Sequence, residues 1–94
     1  MQSKERLYHL IRLLVKNQCE IKSFCNDFTD LYNLEIDYQT LTREEQMKFK
    51  ELAMITSRFS PFEDDLLNYD CYYSEQQIRD KVQEVIKQLN IQVG

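Results

Sequence analysis

The chain holds one glycine, one proline, one histidine and no tryptophan. Two-residue hairpins draw on Asn-Gly, Asp-Gly or Gly-Gly, and none of these dipeptides occurs. Many short strands joined by such turns are therefore disfavoured, and helices, which need few special residues between them, remain. No glycine-rich loop is present to cradle a phosphate. The only histidine, His9, sits inside an apolar helical pattern, where histidine is more often structural or superficial than a base. Carboxylates are plentiful, but nothing sets a proton donor apart from an acceptor among them. Glu63, Asp64, Asp65 and Asp70 lack the spacing and the glycine of a calcium loop. Neither an enzyme, nor a cofactor, nor a metal site is expected.

Cys19, Cys25 and Cys71 are odd in number and show no C-x-x-C spacing. With one histidine to help, that argues against zinc and for free, buried thiols in a reducing compartment. The stretch MQSKERLYHLIRLLVKN is broken by His9 and Arg12 and followed by no small-residue cleavage site. Neither a signal peptide nor a membrane span is expected, which leaves the cytoplasm.

What is present is acidic and amphipathic. The 94 residues suit a single domain, 1–94, with one thin core. The net charge of −4 is unevenly spread: residues 1–25 sum to +3, 26–75 to −8 and 76–94 to +1. Such a middle disfavours direct nucleic-acid binding, which requires a positive face to displace counterions. It suits a basic partner, although a solvated surface also accounts for it.

Apolar residues recur at helical spacing in four runs. Leu7, Leu10, Ile11 and Leu14 mark a helix over 3–17. Ile21, Phe24, Cys25, Phe28, Leu31 and Tyr32 mark one over 21–32. Residues 33–41 read as a connection, with an extended piece pinned by Ile36 and Tyr38. Thr42 and Glu45 form a capping box that opens a helix to about 59, striped by Phe49, Leu52, Ala53, Thr56 and Phe59 and widened by Met54 and Ile55. Ser60-Pro61-Phe62-Glu63 reads as a further start, giving a short helix near 61–67. Ser74 and Gln77 form a last capping box, and Ile78, Val82, Val85, Ile86 and Leu89 stripe a helix over 75–89. The predicted fold is all-α: a four-helix antiparallel bundle with a short additional helix before the last.

The stretch SRFSPFEDDLLNYDCYYSEQQIR, residues 57–79, carries five aromatics and five carboxylates. Acids in a first helical turn answer the helix dipole, but one or two suffice for that. Glu63, Asp64 and Asp65 run together, with Asp70, Tyr69, Tyr72 and Tyr73 just beyond. Tyrosine serves core edges and protein interfaces alike. Arg58 is expected to pair with a carboxylate inside the fold.

Glu51-Leu52, Met54 and RFSPFEDDLLNY (58–69) resemble the middle of the colicin D immunity protein family, whose members carry an Arg-Phe-x-Pro element, acids and an Asn-Tyr pair after a Glu-Leu-rich helix. Leu31-Tyr32 and Arg79 agree in outline, and the similarity spans roughly residues 10–90. The resemblance implies a small helical inhibitor that binds the nuclease domain of a cognate bacterial toxin, such as a tRNA-cleaving ribonuclease, and covers its basic cleft. Expected partner-binding residues are Glu63, Asp64, Asp65 and Asp70, with Glu35 and Asp37 as a second acidic patch and Tyr69, Tyr72 and Tyr73 as apolar anchors. Either Asp64 or Asp65 faces the partner. The expected complex is one-to-one with a monomer. The alternatives are a small acidic antitoxin or adaptor for another basic protein, and an enzyme subunit.

Overall fold

A computed structural model describes residues 3–68 and 71–92; of Glu63 it describes the backbone alone. The chain is all-α, with five α-helices and only an isolated bridge of β type among the described residues. Helix α1 spans Ser3–Val15, α2 Ile21–Asp30, α3 Arg43–Thr56, α4 Glu63–Asn68 and α5 Glu75–Leu89.

With glycine nearly absent, asparagine ends helices. Asn17 and Asn90 take the left-handed conformation, at φ 56° and 55°, which asparagine tolerates better than most residues. Asn90 caps α5 by donating its N–H to Ile86. Asn17 stops α1 two residues short of the predicted end, and the Gln18 N–H folds back to the Leu13 carbonyl at 2.8 Å. Helix α2 gives way to a π-helical turn, Leu31–Glu35, that buries Leu31 and Tyr32; the Ile36 N–H reaches Leu31 across five residues at 3.0 Å. The connection is thus mostly helical rather than extended. Ile36 is buried as expected, and Asp37 caps a 3-10 turn, Tyr38–Thr40, by accepting the Gln39 N–H at 3.0 Å.

Both local capping boxes form: Thr42 with Glu45 at the start of α3, and Ser74 with Gln77 at the start of α5. The four longer helices enclose one core. Leu7, Ile11 and Leu14 of α1, Phe24, Cys25 and Phe28 of α2, Phe49, Leu52 and Ala53 of α3, and Ile78, Val82 and Val85 of α5 are all buried in it. The Phe49 ring meets Tyr8 and Phe28 edge-on at 5.5 and 6.1 Å, and truncating such a buried ring to alanine costs about 3–5 kcal/mol. Met54, expected on the buried stripe, is instead exposed, because it lies on the side of α3 away from Phe49 and Leu52.

Among the described residues one carboxylate is buried. Glu45 accepts the Thr42 N–H at 2.8 Å, faces the Lys4 ammonium at 3.0 Å and accepts the Tyr8 hydroxyl. Burial opposes its charge, but these donors together hold the carboxyl below its ordinary range. Burial, Glu45's hydrogen bond and its negative charge raise the Tyr8 phenol. The three cysteines are free. Burial pushes the Cys25 thiol up to about 12; Cys19 is half-buried and Cys71 exposed, so only one of the three fits the expected buried state.

Candidate functional site

Helix α3 ends at Thr56, three residues before the predicted end, and the chain becomes extended at Phe59. The reason is a non-local pairing. Phe59 and Tyr73 form a parallel bridge: the Tyr73 N–H donates to the Arg58 carbonyl at 2.9 Å, and the Ser60 N–H donates to the Tyr73 carbonyl at 3.1 Å. Both rings pack half-buried against the core. The chain between them is an excursion whose two ends are fastened side by side to the helical body.

Ser60 shapes the near half of that excursion. Its buried hydroxyl accepts the Phe62 N–H at 3.2 Å and donates to the Asp65 carboxylate at 2.8 Å. The predicted cap at Ser60 therefore operates as a tight turn before α4, which starts at Glu63 rather than Pro61. Asp65 and Leu66 are half-buried, whereas Asp64, Leu67 and Asn68 are exposed, as positions three and four apart share a helix face. Asp64 is thus the acid turned outward, and Asp65 serves the turn.

Phe62 is 66 % and Leu67 75 % exposed. Large apolar side chains left exposed on either side of Asp64 in the sequence are of the residue type that contact surfaces use. Sequence reasoning missed them because apolar residues read as core by default; the signal was that neither lies on a stripe of a long helix. Of the expected tyrosine anchors, Tyr72 is exposed, and Tyr73 packs on the core and holds the bridge. Tyr69 and Asp70 lie outside the described residues, as does the Glu63 side chain.

The second expected patch is distinct. Glu35 ends the π-turn and pairs with Arg6 at 3.4 Å; Asp37 is spent on its local cap. Glu35 also borders a groove of about 520 Å³ between α1 and α2, lined with Arg6, His9, Asp27 and Asp30. No ion pair or side-chain hydrogen bond among the described residues links this region to the excursion. Arg58, expected to pair inside the fold, is exposed and makes no ion pair with a described residue; its carbonyl, not its guanidinium, does the tying.

Among the described residues no group of three or more His, Cys, Asp or Glu is arranged to hold a metal ion, and no helix is long and apolar enough to cross a membrane. No family model matches the chain, and no curated protein or solved structure matches it.

Proposed function

We propose that this chain is an immunity protein: it binds a cognate bacterial nuclease toxin, a tRNA-cleaving ribonuclease being the leading candidate, and covers the toxin's basic active-site cleft. The observation that carries the reading is the excursion. From Phe59 to Ile78 there is no Lys or Arg, while Glu63, Asp64, Asp65, Asp70 and Glu75 fall within that span. Asp64 stands outward between exposed Phe62 and Leu67. A nuclease cleft is lined with cations to hold RNA, and a carboxylate carried on a pinned loop competes with phosphate without the cost of ordering a free strand. Charge on both sides speeds encounter, and the apolar pair slows release. The protein acts in the cytoplasm, as a monomer in a one-to-one complex, and performs no catalysis.

The test is co-expression with a candidate cognate nuclease toxin domain, followed by titration of the purified pair. The wild-type chain should rescue growth and block RNA cleavage at one equivalent. Asp64→Lys should slow association and flatten its dependence on salt, because it removes part of the attraction that salt screens; Phe62→Ser with Leu67→Ser should speed dissociation. If the folded triple variant protects as well as wild type, the excursion is not the binding surface. The same charge pattern also fits a basic partner that is not a nuclease, and failure of wild type to block cleavage, with retained binding to a basic protein, would favour that reading.

A further inference from the structure

The outward side of α3 carries a second pattern, opposite in sign to the excursion. Arg43, Met47, Lys50, Met54 and Ser57 follow one another at spacings of four, three, four and three, and all five are exposed. Met47 is 54 % and Met54 53 % exposed. This 3.5-residue period is the seam of one helix packed along another, and the two methionines stand one heptad, or about 10.5 Å, apart on it. The inner face of α3, with Phe49 and Leu52, is already spent on the core.

The charges on the seam are the exception in their region. All Lys and Arg between residues 26 and 75 are Arg43, Lys48, Lys50 and Arg58, on α3 or just past its end. Lys48 is tied to Glu51 at 3.4 Å. Arg43 and Lys50 make no ion pair with any described residue. Grooves flank the methionines: one of about 410 Å³ between Met54, Lys50 and Tyr38 of the 3-10 turn, another of about 410 Å³ between Met47 and Leu89 of α5. A ridge between two grooves is the relief into which a second helix packs, and methionine adapts to the shape laid against it.

We propose that this face docks an amphipathic helix of another protein, one whose own seam alternates apolar residues with carboxylates. Leucine-sized side chains enter the grooves beside Met47 and Met54, and Asp or Glu meets Arg43 and Lys50. The seam discriminates against a second copy of this chain. Parallel pairing in register sets Arg43 on Arg43 and Lys50 on Lys50, and no register offers those cations a carboxylate on the opposing seam. An anionic lipid surface or a nucleic acid is a poorer fit: two seam cations are few, and Glu44 and the −8 middle of the chain repel a field of like charge. This surface is independent of the nuclease reading and stands if that reading fails.

The probe is a synthetic three-heptad helix with Leu at one seam position and Glu at the other. Its controls are the same peptide with Lys for Glu, and phosphatidylglycerol vesicles. The isotope-labelled full chain is titrated with each, and backbone amide shifts and peptide anisotropy are read. The Glu peptide should shift amides of α3 and of residues 31–40. Lys50→Glu with Arg43→Glu should weaken it about tenfold or more and confer binding of the Lys peptide; Met54→Ser should weaken it without changing the peptide preference. The substitutions are on exposed positions, and thermal unfolding checks each; Lys50→Gln substitutes if the double reversal does not fold. The proposal is overturned if the Glu peptide leaves α3 unshifted, if the Lys peptide binds wild type equally well, if vesicles engage the face instead, or if the free chain dimerises through it, seen as sedimentation that Met47→Ser returns to monomer.

Discussion

Replacing Glu45 by glutamine and by alanine separates the work of its charge from the work of its shape. Its Oε1 takes the Thr42 N–H at 2.8 Å and the Lys4 ammonium at 3.0 Å, and its Oε2 takes the Tyr8 hydroxyl. Glutamine can still accept from Thr42 and can donate its own N–H to the Tyr8 oxygen, so the capping box survives. What it loses is the attraction to Lys4, whose side chain is 32 % exposed, worth about 1 kcal/mol or less. Alanine removes the cap, at about 1 kcal/mol, and leaves the Tyr8 hydroxyl without its acceptor, at about 1–3 kcal/mol. At about 4–8 °C per kcal/mol for a domain of this size, Glu45→Gln should lower the melting temperature by about 5 °C and Glu45→Ala by more than about 10 °C. Thermal unfolding by circular dichroism reads both. The folded-state carboxyl titrates below its ordinary range, so its contribution is present above that range and lost as pH falls through the folded value. The gap between wild type and Glu45→Gln should therefore close on acidification. Equal melting temperatures for the two variants, or a gap that persists in acid, would refute the assignment of this network.

Other outcomes follow from the same contacts. Asp65→Asn and Ser60→Ala should each cost about 1 kcal/mol through their shared hydrogen bond, whereas Asp64→Asn should stay within about 0.5 kcal/mol; melting curves separate them, and equal losses at Asp64 and Asp65 would contradict the inward placement of Asp65. In the native protein a thiol reagent should modify Cys71 first and Cys25 only on unfolding, and early labelling of Cys25, located by mass spectrometry, would contradict its burial. Lys81 contacts Glu51 at 2.8 Å and Glu84 at 2.7 Å; Lys81→Met should cost about 1 kcal/mol or less in urea unfolding, because both carboxylates are partly solvated.

The helices were legible because their causes are local. Thr42 with Glu45 and Ser74 with Gln77 are separated by three residues, and each side chain finds its backbone donor whatever the rest of the chain does. Ser60 has the same signature and behaves differently, since its N–H is claimed by Tyr73, thirteen positions on. No pattern within a window of helical size contains that partner. The π-turn after Asp30 is hidden for a related reason: Leu31 and Tyr32 continue the apolar stripe of α2, and only the Leu31 to Ile36 hydrogen bond distinguishes the wider coil. In the candidate site, acidity could be read from composition, but which acid points out depends on a six-residue helix whose rotation Ser60 sets. Phe62, Leu67 and Met54 show the limit of hydrophobic pattern reading, which assigns apolar residues to the interior and cannot say which of them the interior has room for.

Because Phe59 and Tyr73 lie on adjacent extended backbones, spaced about 4.8 Å as neighbouring strands are, the excursion leaves and re-enters the body at nearly one place. What lies between need not span any fixed distance. Doubling the length of a closed flexible loop costs only about 0.6 kcal/mol, so insertions, deletions and wholesale replacement there leave the registration of the helices unchanged. The arrangement amounts to a cassette: a socket of two hydrogen bonds that fixes where the excursion leaves and returns, whatever the length of chain between them. A change of binding surface can therefore be made by exchanging part of the excursion rather than by redesigning the core, and the same socket offers an engineer a place to graft foreign loops.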